Sequence, residues 1–415
     1  MRMGTSCLAI ATMLAMASCG DNDGGSDSGV LSIAECNPLG GNGCITPWPS
    51  DLYSAVDSTT PSGRTLDVPM GALPVNVDGF AIDPAGINNF DGFSAVAPII
   101  YSYAEGIDGS NLVPNSKYAD SVLDSSPTTL INMETGERVV HFAELDIREK
   151  ELFGRQALYI RPAVRLDPKT RYAVAIRNSL KARDGSDIQI SDGFAAILSG
   201  KVTKHERLEA HRAAYAEVLS AVETAGIPRE ELVVAWDFTT GSDEWIRREL
   251  TAARDRTLAD AGDKGANLSY TLEGDLPDHN GEFRRVDGAF TVPLFLSHGG
   301  DFRGGISVLR DDDGLPKTDG MHDVRFSALI PHCAIEGTEK VGIIVYGHGL
   351  FGDEMQASGG STSSLSTQMC SIVVGTIMRG MSDRDIPNVL LTLNDFNRAD
   401  QIFDILIQGI INHTA

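Results

Sequence analysis

The sequence predicts an α/β plus β protein: a β-rich, sandwich-like N-terminal region followed by the first strands of an incomplete α/β sheet. Three observations predict it. Between about 97 and 190 apolar residues recur with a period of two, as in strands with one buried face. Between about 201 and 265 the period lengthens to that of helices, around one short apolar run. From Val341 to Tyr346 the chain is uncharged, with Ile343, Ile344 and Val345 in a row, and it stops at Gly347-His348-Gly349. A run apolar on both faces suits a strand buried on both sides, as in a parallel sheet covered by helices. The expected segments are 1–18, a signal; 19–32, a tether; 33–200, β-rich; 201–265, helix–strand–helix; and 266–415, the α/β part.

The 415 residues suffice for two or three domains. A net charge of −23 argues against nucleic acid as a partner, because phosphate contacts need clustered Lys and Arg. The acidity reads as a solvated surface. The 43 glycines and 18 prolines imply many turns, which suits a β-rich region.

Arg2 and the apolar stretch from Cys7 to Met16 read as a targeting segment, too short to span a bilayer. Of the six cysteines, Cys36, Cys44, Cys333 and Cys370 are left for the exported fold once a signal carrying Cys7 is removed and Cys19 is modified. An even number in an oxidising compartment suggests disulfides. Cys36 and Cys44 bracket N-P-L-G-G-N-G, a loop able to close on itself, and Cys333 with Cys370 then follows. No C-x-x-C and no His cluster accompanies them, so neither metal nor other cofactor is expected.

From Ile33 to Phe90 Pro, Gly, Asp and Asn predict extended segments and loops, anchored by Trp48 and Phe93 as buried plugs. Strands are expected at Val139–Leu145, ending at Asp146; at Leu158–Ile160, before Pro162; and at Tyr172–Ile176. A turn at Asp184-Gly185 leads to Ile188 and Ile190. His141, among apolar strand residues, reads as a satisfied core histidine. Leu208, Tyr215, Val218, Leu219 and Val222 share a helical face that Gly226 and Pro228 end. Leu232–Thr239 is a compact strand. In the next helix Trp245, Ile246, Leu250 and Ala253 share a face, leaving Arg247, Arg248 and Glu249 outside. Strands return at Ala289–Leu296, Val324–Ile330, Val341–Tyr346 and Ser371–Thr376. Asp311-Asp312-Asp313-Gly314 reads as a solvated turn, without the later Glu of a calcium hand. Ser361–Ser366 reads as a loop, and Asp395–His413 as one amphipathic helix.

Several stretches resemble known families. Met16-Ala17-Ser18-Cys19 resembles a lipobox of bacterial lipoproteins. That implies lipidation of Cys19 and attachment to the outer membrane through the Gly/Ser/Asp tether Gly20–Gly29; an ordinary secretory signal is the alternative. Leu166–Ile176, L-D-P-K-T-R-Y-A-V-A-I, resembles bacterial Ig-like repeats. V-G-I-I-V-Y-G-H-G-L-F-G, from Val341 to Gly352, and Arg379-Gly380-Met381-Ser382 resemble turns of secreted bacterial lipases and esterases, in which a β-rich region precedes an α/β-hydrolase domain. The resemblance implies an acyl-ester substrate and an oxyanion turn at Gly347, His348 and Gly349. The N–H of Leu350, with that of Phe351 second, would be the donor, and His348 would hold the turn.

No G-x-S-x-G occurs. Ser382 follows a strand but lacks the glycine on its far side, and the Ser, His and acid of a triad are expected beyond Ala415. The rival reading is a non-catalytic envelope binding or adhesion lipoprotein. In the resembling fold the strand at Val341–Tyr346 lies between its neighbours, so one left with an open outer side is expected to associate.

Overall fold

Residues 33–93 are rich in Pro, Gly and Asp, and the backbone there runs mainly through turns. The regular part is a small hairpin, β1 (Ser54–Val56) with β2 (Arg64–Leu66). The computed structural model describes residues 33–40, 42–76, 78–149, 156–277, 283–300, 305–338 and 340–415. Cys19 and the tether lie outside the described residues. Cys36 and Cys44 are bonded, with Cα atoms 4.4 Å apart. Phe93 is buried and meets Trp48 edge-on at 5.0 Å, while Trp48 exchanges backbone hydrogen bonds with Ile100.

The N-terminal half continues through β3 (Ile99–Ser102), β4 (Ile107–Asp108), β5 (Thr128–Asn132), β6 (His141–Leu145), β7 (Ala157–Pro162), β8 (Arg171–Arg177) and β9 (Lys181–Ala182). Then come α1 (Asp192–Ser199), α2 (Glu206–Ala210), α3 (Arg212–Thr224) and β10 (Leu232–Thr239). Two three-stranded antiparallel sheets, β3-β7-β6 and β10-β8-β5, share one core that runs from Leu39 to Phe238. The helical face of α3, Tyr215, Val218, Leu219 and Val222, is buried in this core. Burial of β10 along its whole length follows from covering on both faces. His141 is fully buried and satisfied, its ring bonded to Thr128 Oγ1 at 2.9 Å and Val139 O at 2.9 Å.

Three expectations need correction here. The turn at Asp184-Gly185 forms, with Gly185 at φ +86°, but it closes on the two-residue β9; Ile188 and Ile190 lie in no strand. The boundary near residue 200 is crossed by a sheet, since β10 pairs with β8 from Leu232↔Arg177 to Thr239↔Arg171. The helix–strand–helix segment is therefore divided, because its second helix, α4 (Asp243–Ala261), packs Ala253 with Phe295 and Ile411 of the C-terminal half.

The buried stripe of α4 is Ala253, Thr257 and Ala261, with Ile246 exposed. Arg248 and Glu249, expected outside, are half-buried. The Arg248 guanidinium lies 3.6 Å over the Trp245 ring, and Glu249 pairs with Arg310 at 2.8 Å. Both contacts satisfy the charge or neutralise it in place.

Downstream come β11 (Tyr270–Pro277), β12 (Phe283–Pro293), β13 (Met321–Pro331), α5 (His332–Glu336), β14 (Gly342–Gly347), α6 (Gly360–Met369), β15 (Ser371–Thr376), α7 (Ile386–Asn394), α8 (Asp400–Phe403) and α9 (Leu406–Thr414). The strands form one mixed sheet in the order β11-β12-β13-β15-β14; β14 runs parallel to β15, and the other pairs are antiparallel. Cys333 and Cys370 are bonded, tying α5 to the residue before β15. The chain is thus a mixed helix-and-sheet protein of several small sheets, β-rich in its first half.

β14 was expected to be buried on both faces. It lies at the sheet edge instead, with Ile343 67% and Val345 62% exposed. Apolar sequence alone does not supply a neighbour, and among the described residues β14 pairs only with β15. Residues 360–369, expected as part of a loop, form α6, whose Ser366 Oγ bonds Ser371 O at 2.8 Å. The single helix expected over 395–413 is broken into a turn, α8 and α9, leaving Phe396 and Phe403 exposed. Buried apolar side chains in this half form small clusters, such as Leu329, Ala357 and Val373, in place of one core.

Candidate oxyanion turn

β14 and β15 run parallel side by side, so the turns that leave their carboxyl ends meet. Ligand sites of open α/β sheets lie at such ends. Residues 347–352 and 379–382 are joined by backbone bonds: Phe351 N–H donates to Met381 O at 2.6 Å and Asp383 N–H to Gly352 O at 3.2 Å. His348, 5% exposed, spans the junction. Its Nε2 accepts the Met378 N–H at 2.9 Å, which leaves the ring proton on Nδ1 to be donated to Gly349 O at 2.8 Å. With both ring nitrogens occupied, His348 ties the two turns together.

The glycines do not share one task. Gly347 and Gly349 are outside the left-handed region, which in this turn is occupied by Phe351 at φ +60°. A Cβ at Gly352 would meet the end of the Gln356 side chain, which would have to shift. Gln356 Oε1 in turn accepts the Gly349 N–H at 2.9 Å. Of the two proposed donors, Phe351 is corrected: its N–H is engaged by Met381 O. Leu350 is exposed, and its N–H has no hydrogen-bond partner among the described residues.

No described serine near the turn is placed as an exposed nucleophile. Ser382 is fully buried, its Oγ donating to Asp385 Oδ2 at 2.6 Å and its N–H to the same oxygen at 3.1 Å. It caps a helical turn. Of the α6 serines, Ser363, Ser364 and Ser366 bond backbone carbonyls of their own helix or its flank, and Ser361 is exposed in its first turn. The Asp311 carboxylate accepts the N–H groups of Asp313 and Leu315 and pairs with Arg256.

Sequence reasoning missed Asp385, Gln356, Glu354 and His322. Glu354 is buried beside Arg325 at 2.8 Å. His322 is pulled down to about 4, first by burial and then by the Arg379 charge, so it is neutral at pH 7. Asp385 alone had a readable signal, the spacing Ser382-x-x-Asp385 of a capping box.

A second polar cluster is buried in the N-terminal core. Asp51 accepts from Thr239 N at 3.1 Å, Thr239 Oγ1 at 2.5 Å and Ser54 Oγ at 3.0 Å, with Arg64 at 3.7 Å. Asp237, 2% exposed, pairs with Arg171 at 2.6 Å. Burial, and then the charge of Asp51, push Asp237 up to about 6. Tyr215 OH and His211 Nδ1 are buried nearby without a partner among the described residues.

Among the described residues no helix is long and apolar enough to cross a membrane. No family model, no curated protein and no solved structure matches this chain.

Proposed function

We propose that this chain carries the oxyanion-binding part of a cell-envelope carboxylic-ester hydrolase of the α/β-hydrolase type. The observation that carries the reading is the Leu350 N–H, without a partner among the described residues, at the carboxyl end of a parallel strand pair and on a turn locked by His348. The placing of β14 beside β15 supports it, since the resembling fold sets its third core strand next to its fourth. The chemistry is acyl transfer. A Ser Oγ attacks the ester carbonyl as its proton passes to a His, which an acidic residue orients. The bond to the alkoxide then breaks and the alkoxide takes the proton. The Leu350 N–H stabilises the negative carbonyl oxygen of the intermediate. No described serine is assigned the nucleophile.

The test uses the longest natural reading frame containing this chain. It should hydrolyse a p-nitrophenyl ester and take a fluorophosphonate label on one serine. Leu350→Pro, which deletes the N–H, should lower kcat by roughly 10²–10³-fold with little change in KM. An unlabelled, inactive wild type, or full activity in the variant, rules the reading out.

The same proposal includes a lipid anchor at Cys19. Its warrant is the small-residue approach Ala17-Ser18 and the tether after it. Cys19→Ala should release the protein from the membrane fraction or leave it unprocessed. Wild-type fractionation and processing in the variant would disprove the anchor.

A further inference from the structure

Asp385 is 1% exposed, yet its carboxylate is fully occupied within one turn. Oδ1 accepts Arg379 Nε at 3.0 Å. Oδ2 accepts Gly380 N at 2.6 Å, Ser382 N at 3.1 Å and Ser382 Oγ at 2.6 Å. A carboxylate with this many charge-assisted bonds holds its donors firmly. The donors belong to residues 379–382, and Gly380 sits there at φ +87° with the Ile402 carbonyl 2.9 Å from where a Cβ would be. Arg379 also reaches the other way, donating to Gly300 O at 3.1 Å.

We propose that Asp385 is a positioning residue for the oxyanion turn. Its carboxylate fixes residues 379–382, and they fix the Leu350 N–H. The coupling route is short. Met381 O, inside the clamped turn, receives the Phe351 N–H, and Asp383, at its end, donates to Gly352 O. These two bonds bracket Phe351, whose left-handed backbone is costly for a side chain of that size and persists only when its surroundings hold it. If the clamp is released, Met381 O can move and Phe351 can leave φ +60°. The N–H one residue earlier, at Leu350, then loses its direction. The catalytic consequence rests on the hydrolase reading; the mechanical coupling does not.

Two variants and two readouts test it. In this chain, Asp385→Asn should quicken amide exchange at Phe351 and Asp383 about tenfold, while the amides of β12 and β13 keep their wild-type rates. Ser382→Ala removes one bond to the same oxygen and should quicken the same two amides less; it serves if Asp385→Asn does not fold. Exchange that quickens only at Gly380 and Ser382, with Phe351 and Asp383 unchanged, overturns the proposal, because the carboxylate would then merely cap its own turn. In the longest natural reading frame, Asp385→Asn should lower kcat about tenfold or more and leave KM near wild type. Coupled exchange in a protein with no esterase activity would sink the hydrolase reading and keep the coupling. An active wild type whose Asp385→Asn form matches it in both kcat and exchange would do the reverse.

Discussion

Replacing Arg171 with alanine is expected to cost the N-terminal half about 3–5 kcal/mol, because it leaves a buried carboxylate without its partner. Arg171 bridges β8 to three groups: Asp237 on β10 at 2.6 Å, Glu217 of α3, and the Ala214 carbonyl at 3.1 Å. Asp237 cannot reach water to compensate, and Asp51 adds a like charge to the same core. The loss should depend on pH in a definite direction. Asp237 already titrates at about 6 in the folded protein, above an unfolded carboxylate. A raised folded value means that its contribution is full below the unfolded value and is lost as pH rises through the folded one. In the wild type this slope lies between about pH 4 and 6. Without Arg171, which lowers the value, Asp237 moves higher still, so the variant should lose more at pH 8 than at pH 5. His211, held down by burial, contributes the opposite trend as pH falls through its own folded value. Arg64, beside Asp51, is the remaining charge facing the pair. Urea unfolding at the two pH values reads the effect, and Arg171→Ala with Asp237→Asn should recover part of it. An equal loss at both pH values, with no recovery in the double variant, would contradict this account.

Opening the Cys333–Cys370 bond should cost about 4 kcal/mol, and opening Cys36–Cys44 about 2.6 kcal/mol, on the loop-entropy relation. The two bonds close separations of 37 and 8 residues, so the longer loop gains more chain freedom when released. The larger effect also falls where packing is thinnest. Cys370 directly precedes β15, the strand that joins β14 to the rest of the sheet, and the surrounding half is held by small clusters. Paired Cys→Ser variants compared by urea unfolding check the order. A larger loss from the short loop would show that native geometry, not chain entropy, sets the value.

Strand and helix identities were legible wherever one periodicity ruled. Tyr172, Val174 and Ile176 announced β8, and the spacing from Leu208 to Val222 announced one helix, which the structure divides at His211 into α2 and α3. What was not legible was partnership. The run Leu232–Thr239 reads as a strand, but nothing in it says that it pairs with Arg171–Arg177 across β9 and the three helices α1, α2 and α3. Val341–Tyr346 has the composition of a central strand and occupies an edge, because coverage depends on other segments. The Asp395–His413 pattern misled for a local reason: Asp395 caps its own short turn through Asn397 N, and the helical path restarts at α8 and again at α9. At the site, Gly347 to Gly352 stood out by composition. The hydrogen bonds that decide which N–H is available, from Phe351 to Met381 and from His348 to Met378, join residues about thirty apart and left no mark at short range.

The open edge at β14 also bears on how these molecules behave toward one another. An uncharged strand with free backbone donors and acceptors is a short-range template for a second such strand. The 57 acidic against 34 basic residues are a long-range barrier to the same encounter. The reach of that barrier is set by the medium: about 30 Å at 0.01 M salt and about 8 Å at 0.15 M. In dilute buffer the molecules are expected to be held apart before their edges can register, and in salt to approach closely enough for the strand to act. Colloidal stability in this protein is thus a property of its solvent as much as of its fold, with its own net charge screening the edge that no described element covers.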